Sequence, residues 1–419
     1  MSTSHPTKST DQRLPLRMYN GAQHLLDALG RKKPRFLHLG NKLHDDARKA
    51  VGFDDFGDPA YREPLGILLE AYDGEAHLTP FGRMLVEQQL AGLLRNRLTA
   101  ERAWKQEPAI LATEIRRPIF ILGLPRTGTT ALHHLLGQDP TIQTLEYWLT
   151  ASPQPRPPRA SWESLPDFKR AVRDLKMTYW LDPSLKAIHL MTADGPEECR
   201  HLLCQTFTDD TFDCNATIPS YSKWYASCDM RPTYAQHRRL LQLIGSTTPE
   251  RRWVLKYPVH MRNLQTVLAT YPDACFVQCH RDPAKVLPSL CSLVAGWRAI
   301  SEREVDRAAM ARWQMEVWAA GMDHAIEVRR AHDPSRFFDL SFAEFNSDPV
   351  GAVKRMYVRF GVPLSEESER SLRAWREHNP RGKYGEHRYT LEEFGLTTSM
   401  IHDRYAGYLD YFGIERERA

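Results

Sequence analysis

Residues 117–140 read RPIFILGLPRTGTTALHHLLGQDP and divide into three parts. Residues 118–122 are wholly apolar, which is typical of a strand that is buried on both faces. Residues 123–128 form a short loop with two glycines and one proline, and residues 129–137 carry leucines at helical spacing. A strand that turns through glycine into a helix directs backbone N–H groups and the positive end of the helix dipole at one point. The stretch therefore predicts an anion site at the end of a buried strand.

The side chains of the loop favour the same kind of site. Arg126 provides a planar charged fork, and hydroxyl groups follow at Thr127, Thr129 and Thr130. The phosphate loop of nucleotide triphosphatases, G-x-x-x-x-G-K-[ST], requires a lysine where this chain has Thr129 after Gly128. The loop therefore predicts phosphate or phosphosulfate binding, and a purely structural strand-loop-helix turn is the alternative.

The loop also resembles that of a known family. PRTGTT resembles the 5′-phosphosulfate loop, P-K-S/T-G-T-T, of the sulfotransferases that use 3′-phosphoadenosine 5′-phosphosulfate (PAPS). Arg126 stands where the cytosolic branch carries lysine, and the tyrosylprotein branch carries arginine at that position. The resemblance implies that PAPS is the co-substrate and that the loop residues bind it, namely Arg126, Thr127, Gly128, Thr129 and Thr130.

The composition limits the class of protein. Among 419 residues, 56 Lys and Arg against 52 Asp and Glu leave a formal net charge of +4. This excess suits an anionic co-substrate but is small for a nucleic-acid binder, so no nucleic-acid partner is predicted. Seven cysteines without C-x-x-C spacing predict free thiols in a reducing compartment. Without a signal-peptide pattern or an apolar run of ~20 residues, we expect a soluble, cytoplasmic protein with no stable membrane insertion.

The segment before the loop has a helical pattern. Leucines and aromatic residues recur at helical spacing from about residue 19 to residue 112. We therefore divide the chain into a helical N-terminal region, 1–112, and a sulfotransferase-like domain, 113–419. Such helices pack on a catalytic core or on a partner subunit, which leaves a homodimer open, and they could also shape an acceptor pocket.

A second informative block covers residues 253–290. Its pattern predicts strand, helix, strand and helix in order, which implies parallel strands with right-handed crossovers. Asp282 and Pro283 are suited to the N-cap and the first position of the last helix. The segment HRDPAKVLPS resembles the 3′-phosphate signature of the same family, which implies that Arg281 and Ser289 bind the 3′-phosphate. The alternative is an arginine that pairs with a carboxylate at the end of its strand.

Lys256 lies 25 residues before Arg281, close to the spacing of the catalytic lysine in cytosolic sulfotransferases. The catalytic histidine of those enzymes comes two residues after that lysine, and this chain has Pro258 there. His260 is the nearest histidine. This departure makes His260 the weaker candidate for the general base and strengthens another candidate, Glu146.

Glu146 follows Arg126 by 20 residues and precedes Tyr147 and Trp148. Tyrosylprotein sulfotransferases place their catalytic glutamate at a similar distance, so the resemblance implies that Glu146 is the general base. A carboxylate among aromatic rings is expected to have a raised pKa and to accept a proton from a hydroxyl. A solvated or capping glutamate is the alternative.

Two further helix starts are predicted from local signals. Pro196, followed by Glu197 and Glu198, is typical of the first turn of a helix, because acidic side chains complement the helix dipole there. Glu197 and His189 are secondary candidates for a catalytic or acceptor-site role. A capping box of Ser301 and Glu304 predicts a long helix over residues 301–331. Farther along, residues 349–360 are predicted to form a helix that Gly361 ends.

Near the C-terminus, NPRGKYGEHRY resembles the R-K-G-x-x-G loop with which the family covers the 3′-phosphate. The resemblance implies that Arg381, Gly382 and Lys383, with Gly385, contribute to this lid. A solvated basic loop is the alternative.

Together, the motifs predict an α/β fold in which a mostly parallel sheet is flanked by helices, the P-loop-like fold of sulfotransferases. They predict a PAPS-dependent transfer to a hydroxyl or amine of a small-molecule, lipid or glycan acceptor, without a metal because the loop and cationic side chains supply the positive charge. A kinase-like phosphotransferase and a non-catalytic PAPS-fold binding protein are the alternatives.

Overall fold

The centre of the fold is a parallel β-sheet. A computed structural model describes residues 14–30, 33–181, 183, 191–379 and 390–417 of the chain. In this part, five strands lie in the order β2-β3-β1-β4-β5, and every neighbouring pair is parallel. The predicted α/β class is therefore confirmed. The strands are β1 (Ile119–Gly123), β2 (Ile142–Gln143), β3 (Arg252–Lys256), β4 (Cys275–His280) and β5 (Phe337–Ser341).

Helices surround this sheet on both faces. The described α-helices are α1 (Leu14–Ala28), α2 (Leu39–Val51), α3 (Arg62–Gly74), α4 (Pro80–Gln106), α5 (Thr129–Leu136), α6 (Tyr147–Ala151), α7 (Pro166–Leu181), α8 (Arg200–Leu203), α9 (Thr211–Asn215), α10 (Pro219–Ser227), α11 (Arg231–Gly245), α12 (Val259–Arg262), α13 (Leu264–Thr270), α14 (Pro283–Ser301), α15 (Arg307–Arg330), α16 (Phe342–Ser347), α17 (Pro349–Phe360), α18 (Glu366–His378), α19 (Thr398–Arg404) and α20 (Ala406–Phe412).

The central strand β1 separates two apolar layers. All five of its residues are buried, as its continuous apolar sequence predicts. Ile119 and Ile121 belong to the cluster that contains the leucines of α5. Phe120 and Leu122 belong to a second cluster on the opposite face, because successive side chains of a strand alternate between faces. This alternation decides which functional side chains can meet.

The N-terminal helices share their core with the rest of the chain. One apolar cluster runs from Phe36 to Leu409. Glu101 of α4 forms an ion pair with Arg239 of α11 at 3.0 Å, and the Thr79 amide donates to the Ser301 carbonyl at 2.9 Å. The division of the chain at residue 112 stays a prediction, and it does not coincide with a break in the packing.

The long helix predicted over residues 301–331 begins elsewhere. Ser301 is the last residue of α14, and Glu302 is buried, where its carboxylate accepts hydrogen bonds from the Thr217 amide and hydroxyl at 2.9 and 2.8 Å. The next helix, α15, is capped by Asp306, whose carboxylate accepts from the Ala309 amide at 2.9 Å. The capping-box prediction was wrong because a distant partner fixes the chain at Glu302.

The helix predicted to start at Pro196 is also displaced. Pro196 forms an antiparallel bridge with Glu146, and the Glu197 amide donates to the Leu145 carbonyl at 2.6 Å. The helix in this part of the chain, α8, starts at Arg200. This pairing brings two distant acidic segments of the sequence side by side.

Several local predictions hold. The Asp282 side chain caps α14 by accepting from the Ala284 amide at 2.8 Å, and Pro283 is the first residue of the helix. Gly361 ends α17 in a left-handed conformation at φ 60°. All seven cysteines lie in the described ranges and all are free thiols, as predicted. Within those ranges, no helix has the length and apolar character needed to cross a bilayer.

Candidate active site

The loop after β1 has a conformation that few residues can adopt. Gly123 has φ +135°, and a Cβ atom there would lie 2.6 Å from the Cys279 carbonyl oxygen of β4. Gly128, at φ +91°, precedes the first residue of α5. Arg126 is also left-handed at φ 72°, which is uncommon for a residue with a side chain and is often found at functional sites. The backbone is thus curled around the N-terminus of α5, where the helix dipole favours an anion.

The threonines of the loop have different roles. The Thr127 hydroxyl is buried and donates to the Leu124 carbonyl at 2.8 Å, so it stabilises the loop itself. Thr129 is buried at the start of α5. The Thr130 hydroxyl accepts a hydrogen bond from Lys256 Nζ at 3.2 Å. Thr130 is therefore the loop threonine that links α5 to a charged side chain.

Lys256 ends β3 on the same face of the sheet as α5. Its side chain is 3 % exposed, and Nζ contacts both Thr130 and the carboxylate of Glu198. The side chain faces α5 because Lys256 follows Val254, of the α5-side cluster, by two residues. The structure thus brings the predicted catalytic lysine to the predicted anion loop.

Glu198 is a site residue that the sequence did not reveal. Its acidic neighbours in the sequence suggested a helix start, whereas its carboxylate contacts Lys256, 58 residues away. The side chain is 14 % exposed. Glu198 could have been identified only from the pairing of the segment before it with the chain near Glu146. The local sequence pattern around Glu198 does not show that pairing.

One hydrogen bond joins the two predicted halves of the donor site. Arg126 Nε donates to Ser289 Oγ at 3.0 Å, across 163 residues of sequence. Ser289 lies in α14, eight residues after Arg281. The loop motif and the 3′-phosphate motif, identified separately in the sequence, are therefore adjacent.

Arg281 lies at the same edge of the sheet, directly after β4. Its guanidinium group stacks over the Phe342 ring at 4.1 Å, and Nε donates to Glu417 Oε1 at 3.1 Å. The Phe342 ring is also the nearest group to Gly128, where an added Cβ would lie 3.3 Å away. Arg281 is thus next to the loop. Its ion pair with Glu417 is also the alternative that the sequence left open, an arginine that pairs with a carboxylate at the end of its strand.

Glu146 is positioned by an arginine. It immediately precedes α6, and Glu146 Oε2 lies 3.1 Å from the Arg156 guanidinium group. Burial raises the pKa of the Glu146 carboxyl, and the charge of Arg156 partly opposes this shift. The raised pKa agrees with the prediction from the sequence, and the structure identifies burial as its main cause.

His260 lies on the other face of the sheet. Its ring packs against Phe120 with centroids 5.0 Å apart, and its Nδ1 is 2.8 Å from Tyr234 Oη. The residue is fully buried, and burial lowers its pKa well below the usual value. Because Phe120 faces away from α5, His260 is on the opposite side of β1 from Lys256. The assignment of His260 as an alternative base is therefore corrected.

The predicted lid residues Arg381, Gly382 and Lys383 lie outside the described residues, as do Gly385 and the secondary candidate His189.

A sequence model of the sulfotransferase family matches residues 118–366, more than half of the chain. The matched segment begins just before β1 and includes Arg126, Lys256, Arg281 and Ser289. The chain therefore belongs to the sulfotransferase family, and the predicted class of enzyme, a sulfotransferase, is confirmed.

Individual relatives agree with this assignment. The crystal structure of sulfotransferase STF1 from Mycobacterium tuberculosis shares 39 % identity, covers 89 % of this chain and 100 % of its own, and has a TM-score of 0.81. Sulfotransferase STF9 from Mycobacterium avium shares 30 % identity over 91 % of this chain and 98 % of its own, with a TM-score of 0.82. The omega-hydroxy-beta-dihydromenaquinone-9 sulfotransferase Stf3 of Mycobacterium bovis is 24 % identical over 323 residues, which are 71 % of this chain and 76 % of the relative.

Proposed function

We propose that this sulfotransferase transfers the sulfuryl group of PAPS to a hydroxyl group of a lipid-like small molecule. The observation that carries the proposal is the hydrogen bond between Arg126 and Ser289, which brings the 5′-phosphosulfate loop and the 3′-phosphate motif to one edge of the sheet. PAPS has a 3′-phosphate and a 5′-phosphosulfate, so both motifs must contact the same molecule.

The residues present fit such a donor. Three cationic side chains, Arg126, Lys256 and Arg281, lie around the N-terminus of α5, and planar guanidinium groups suit phosphate oxygens. The glycine at position 123 lets the backbone follow a path that a Cβ would block. PAPS carries its sulfuryl group on a stable leaving group, adenosine 3′,5′-bisphosphate, and the protein supplies position and charge.

The chemistry of the residues follows from where charge develops. The bond between the sulfur and the donor oxygen breaks as the acceptor oxygen bonds to sulfur, and the acceptor proton passes to a carboxylate. Arg126 and Lys256 then stabilise negative charge on the departing oxygen. Because these side chains supply the positive charge, we propose that the transfer step needs no metal.

Two carboxylates are candidates for the proton acceptor. Glu146 has the raised pKa expected of a base but is held by Arg156. Glu198 contacts Lys256, the residue proposed to meet the reacting group, and we therefore favour Glu198. In assays of the variants Glu198→Gln and Glu146→Gln, we expect the larger fall in kcat from Glu198→Gln. A larger fall from Glu146→Gln would assign the base to Glu146 instead.

The acceptor class rests on a relative. The name of the Mycobacterium bovis relative gives an omega-hydroxy-beta-dihydromenaquinone-9, a hydroxylated lipid-like molecule, as what it acts on. We propose an acceptor of this chemical class and a reducing, cytoplasmic location for the enzyme, which the seven free thiols support.

Calorimetric titration tests the donor site. Adenosine 3′,5′-bisphosphate should bind at micromolar concentration, and both adenosine 5′-phosphate and ATP with magnesium should bind much more weakly. Arg281→Ala should remove most of this preference, whereas Arg312→Ala, an exposed arginine on α15, should leave it unchanged. No binding of the bisphosphate to the wild-type protein would refute the proposal of a PAPS site.

A further inference from the structure

Three side chains that can ligate a metal meet in the interior, on the face of β1 opposite α5. A ligand atom of Cys199 and one ring nitrogen each of His237 and His260 lie within 4.8 Å of one another. All three residues are 0 % exposed. They come from the segment before α8, from α11 and from α12, so the cluster ties together three separate parts of the chain.

The two histidines have one nitrogen bonded and one nitrogen without a partner. Nδ1 of His237 is 2.8 Å from Tyr271 Oη, and Nδ1 of His260 is 2.8 Å from Tyr234 Oη. Among the described residues, neither Nε2 atom has a hydrogen-bond partner, although both are buried. Buried polar nitrogens are nearly always satisfied in folded proteins. Two such atoms beside a buried thiol therefore need an explanation.

The chemistry of the three side chains suits a metal ion. Neutral imidazole ligates metals through a ring nitrogen, and a thiol loses its proton when a cation binds.

We propose that Cys199, His237 and His260 bind a zinc-class ion through Cys199 Sγ and the two Nε2 atoms. One thiolate and two imidazoles form a borderline-soft ligand set, which selects zinc or copper over magnesium or calcium. The hydroxyl groups of Tyr271 and Tyr234, which contact the two Nδ1 atoms, correspond to the hydrogen-bond partners that orient metal-bound histidines in other proteins.

The ion has a structural role and takes no part in the transfer. It lies across β1 from Thr130 and Lys256, and the ring of Phe120 packs against His260 on the side of the strand. It acts on the site indirectly: the Cys199 amide donates to the Lys256 carbonyl at 3.1 Å, and Cys199 directly follows Glu198. The cluster therefore holds Glu198 in position.

Metal analysis of the untagged full-length protein is the first test. We expect close to one zinc or copper ion per chain after dialysis, and X-ray absorption at the metal edge should give one sulfur and two imidazole ligands. A metal-free wild-type protein that also fails to bind added Zn²⁺ would overturn the proposal, and two buried waters would then explain the nitrogen atoms. These measurements need no variant.

Cobalt substitution identifies the ligands. Co²⁺ bound to the wild-type protein should show a thiolate-to-cobalt charge-transfer band, which should be absent from Cys199→Ser and weakened in His260→Gln. The matched controls are Cys291→Ser, a fully buried cysteine in α14, and His133→Gln, a buried histidine in α5, both of which should keep the band. A band that survives in Cys199→Ser would assign the metal to another site and refute the proposal.

Discussion

Replacing Lys256 with methionine tests the proposed charge stabilisation most directly. Methionine keeps most of the length and apolar contact of the side chain and removes the ammonium group, with its charge and its hydrogen bonds. Because Lys256 is 3 % exposed, water cannot take over its role. A charge pair about 4 Å apart at an effective dielectric constant of about 20 contributes about 4 kcal/mol. Losing a preorganised donor of this kind typically lowers kcat about 100- to 1,000-fold.

The same substitution leaves Glu198 without its ion-pair partner. Breaking a fully buried pair costs about 3–5 kcal/mol of stability, and the 14 % exposure of Glu198 places the expected cost at or below the lower end. The double variant Lys256→Met/Glu198→Gln should therefore regain thermal stability, yet its kcat should stay well below that of Glu198→Gln alone. This separation distinguishes a catalytic lysine from one that only stabilises the fold.

The assay is the initial rate of sulfuryl transfer at saturating donor and acceptor, with kcat and KM determined separately and Tm measured on the same samples. We expect the fall in kcat to exceed the change in KM. A fall of less than about tenfold, which is about 1.4 kcal/mol, would show that Lys256 is not opposite the developing charge. A double variant whose kcat matches that of Glu198→Gln alone would refute the reasoning as well.

Three further predictions concern stability and the donor site. Burial, together with the charge of the neighbouring Asp210, raises the pKa of Asp209 above its ordinary value of 3.8, so the folded protein keeps a proton that the unfolded chain has lost. As the pH rises from the ordinary value towards the raised value of the folded state, urea titrations should show the wild type losing stability relative to Asp209→Asn by at most about 1.4 kcal/mol per pH unit, and parallel curves would contradict this. Gly123→Ala should lower both Tm and the affinity for adenosine 3′,5′-bisphosphate, because its Cβ would lie 2.6 Å from the Cys279 carbonyl; an unchanged affinity would argue against the described loop. Arg298→Met should destabilise the protein by about 3 kcal/mol in denaturant unfolding, because it leaves the buried Asp213 carboxylate without the guanidinium 3.0 Å away, and a loss below about 1 kcal/mol would contradict this.

The parts of the fold that could be predicted from the sequence depend on neighbours in the chain. The strand, loop and helix around Arg126 occupy one short continuous segment. Within such a segment, the spacing of apolar residues and the positions of glycines indicate the secondary structure. Asp282 as an N-cap and Gly361 as a helix end are likewise local. Family spacing then predicted that Ser289 and Lys256 belong to the same site as the loop.

The predictions that failed depend on distant contacts. Glu302 is fixed by Thr217, 85 residues earlier, so the local capping signal at Ser301 had no effect. Glu198 faces Lys256 because residues 196 and 197 pair with residues 145 and 146, which no pattern near Pro196 indicates. Such pairings are set by tertiary packing and override local propensity.

The same reasoning applies to the buried cluster. Cys199, His237 and His260 are separated by 38 and 23 residues, so the sequence showed none of the short spacings typical of zinc sites. The face of the sheet that His260 occupies is likewise set by the packing of α12 against Phe120 of β1, not by its distance from Lys256 in the sequence. Its assignment as a base failed for this reason.

The pairing of β1 with β4 also fixes the spacing between the two halves of the proposed donor site. The phosphosulfate loop leaves β1 at Gly123 and the 3′-phosphate motif leaves β4 at His280, and these strands are in register from Ile119 with Cys275 to Gly123 with Cys279. Adjacent strands lie about 4.8 Å apart, held by backbone hydrogen bonds that do not depend on side chains. The sheet therefore fixes how far apart the two motifs begin, so a side-chain substitution can weaken the proposed hold on either phosphate but does not change this spacing.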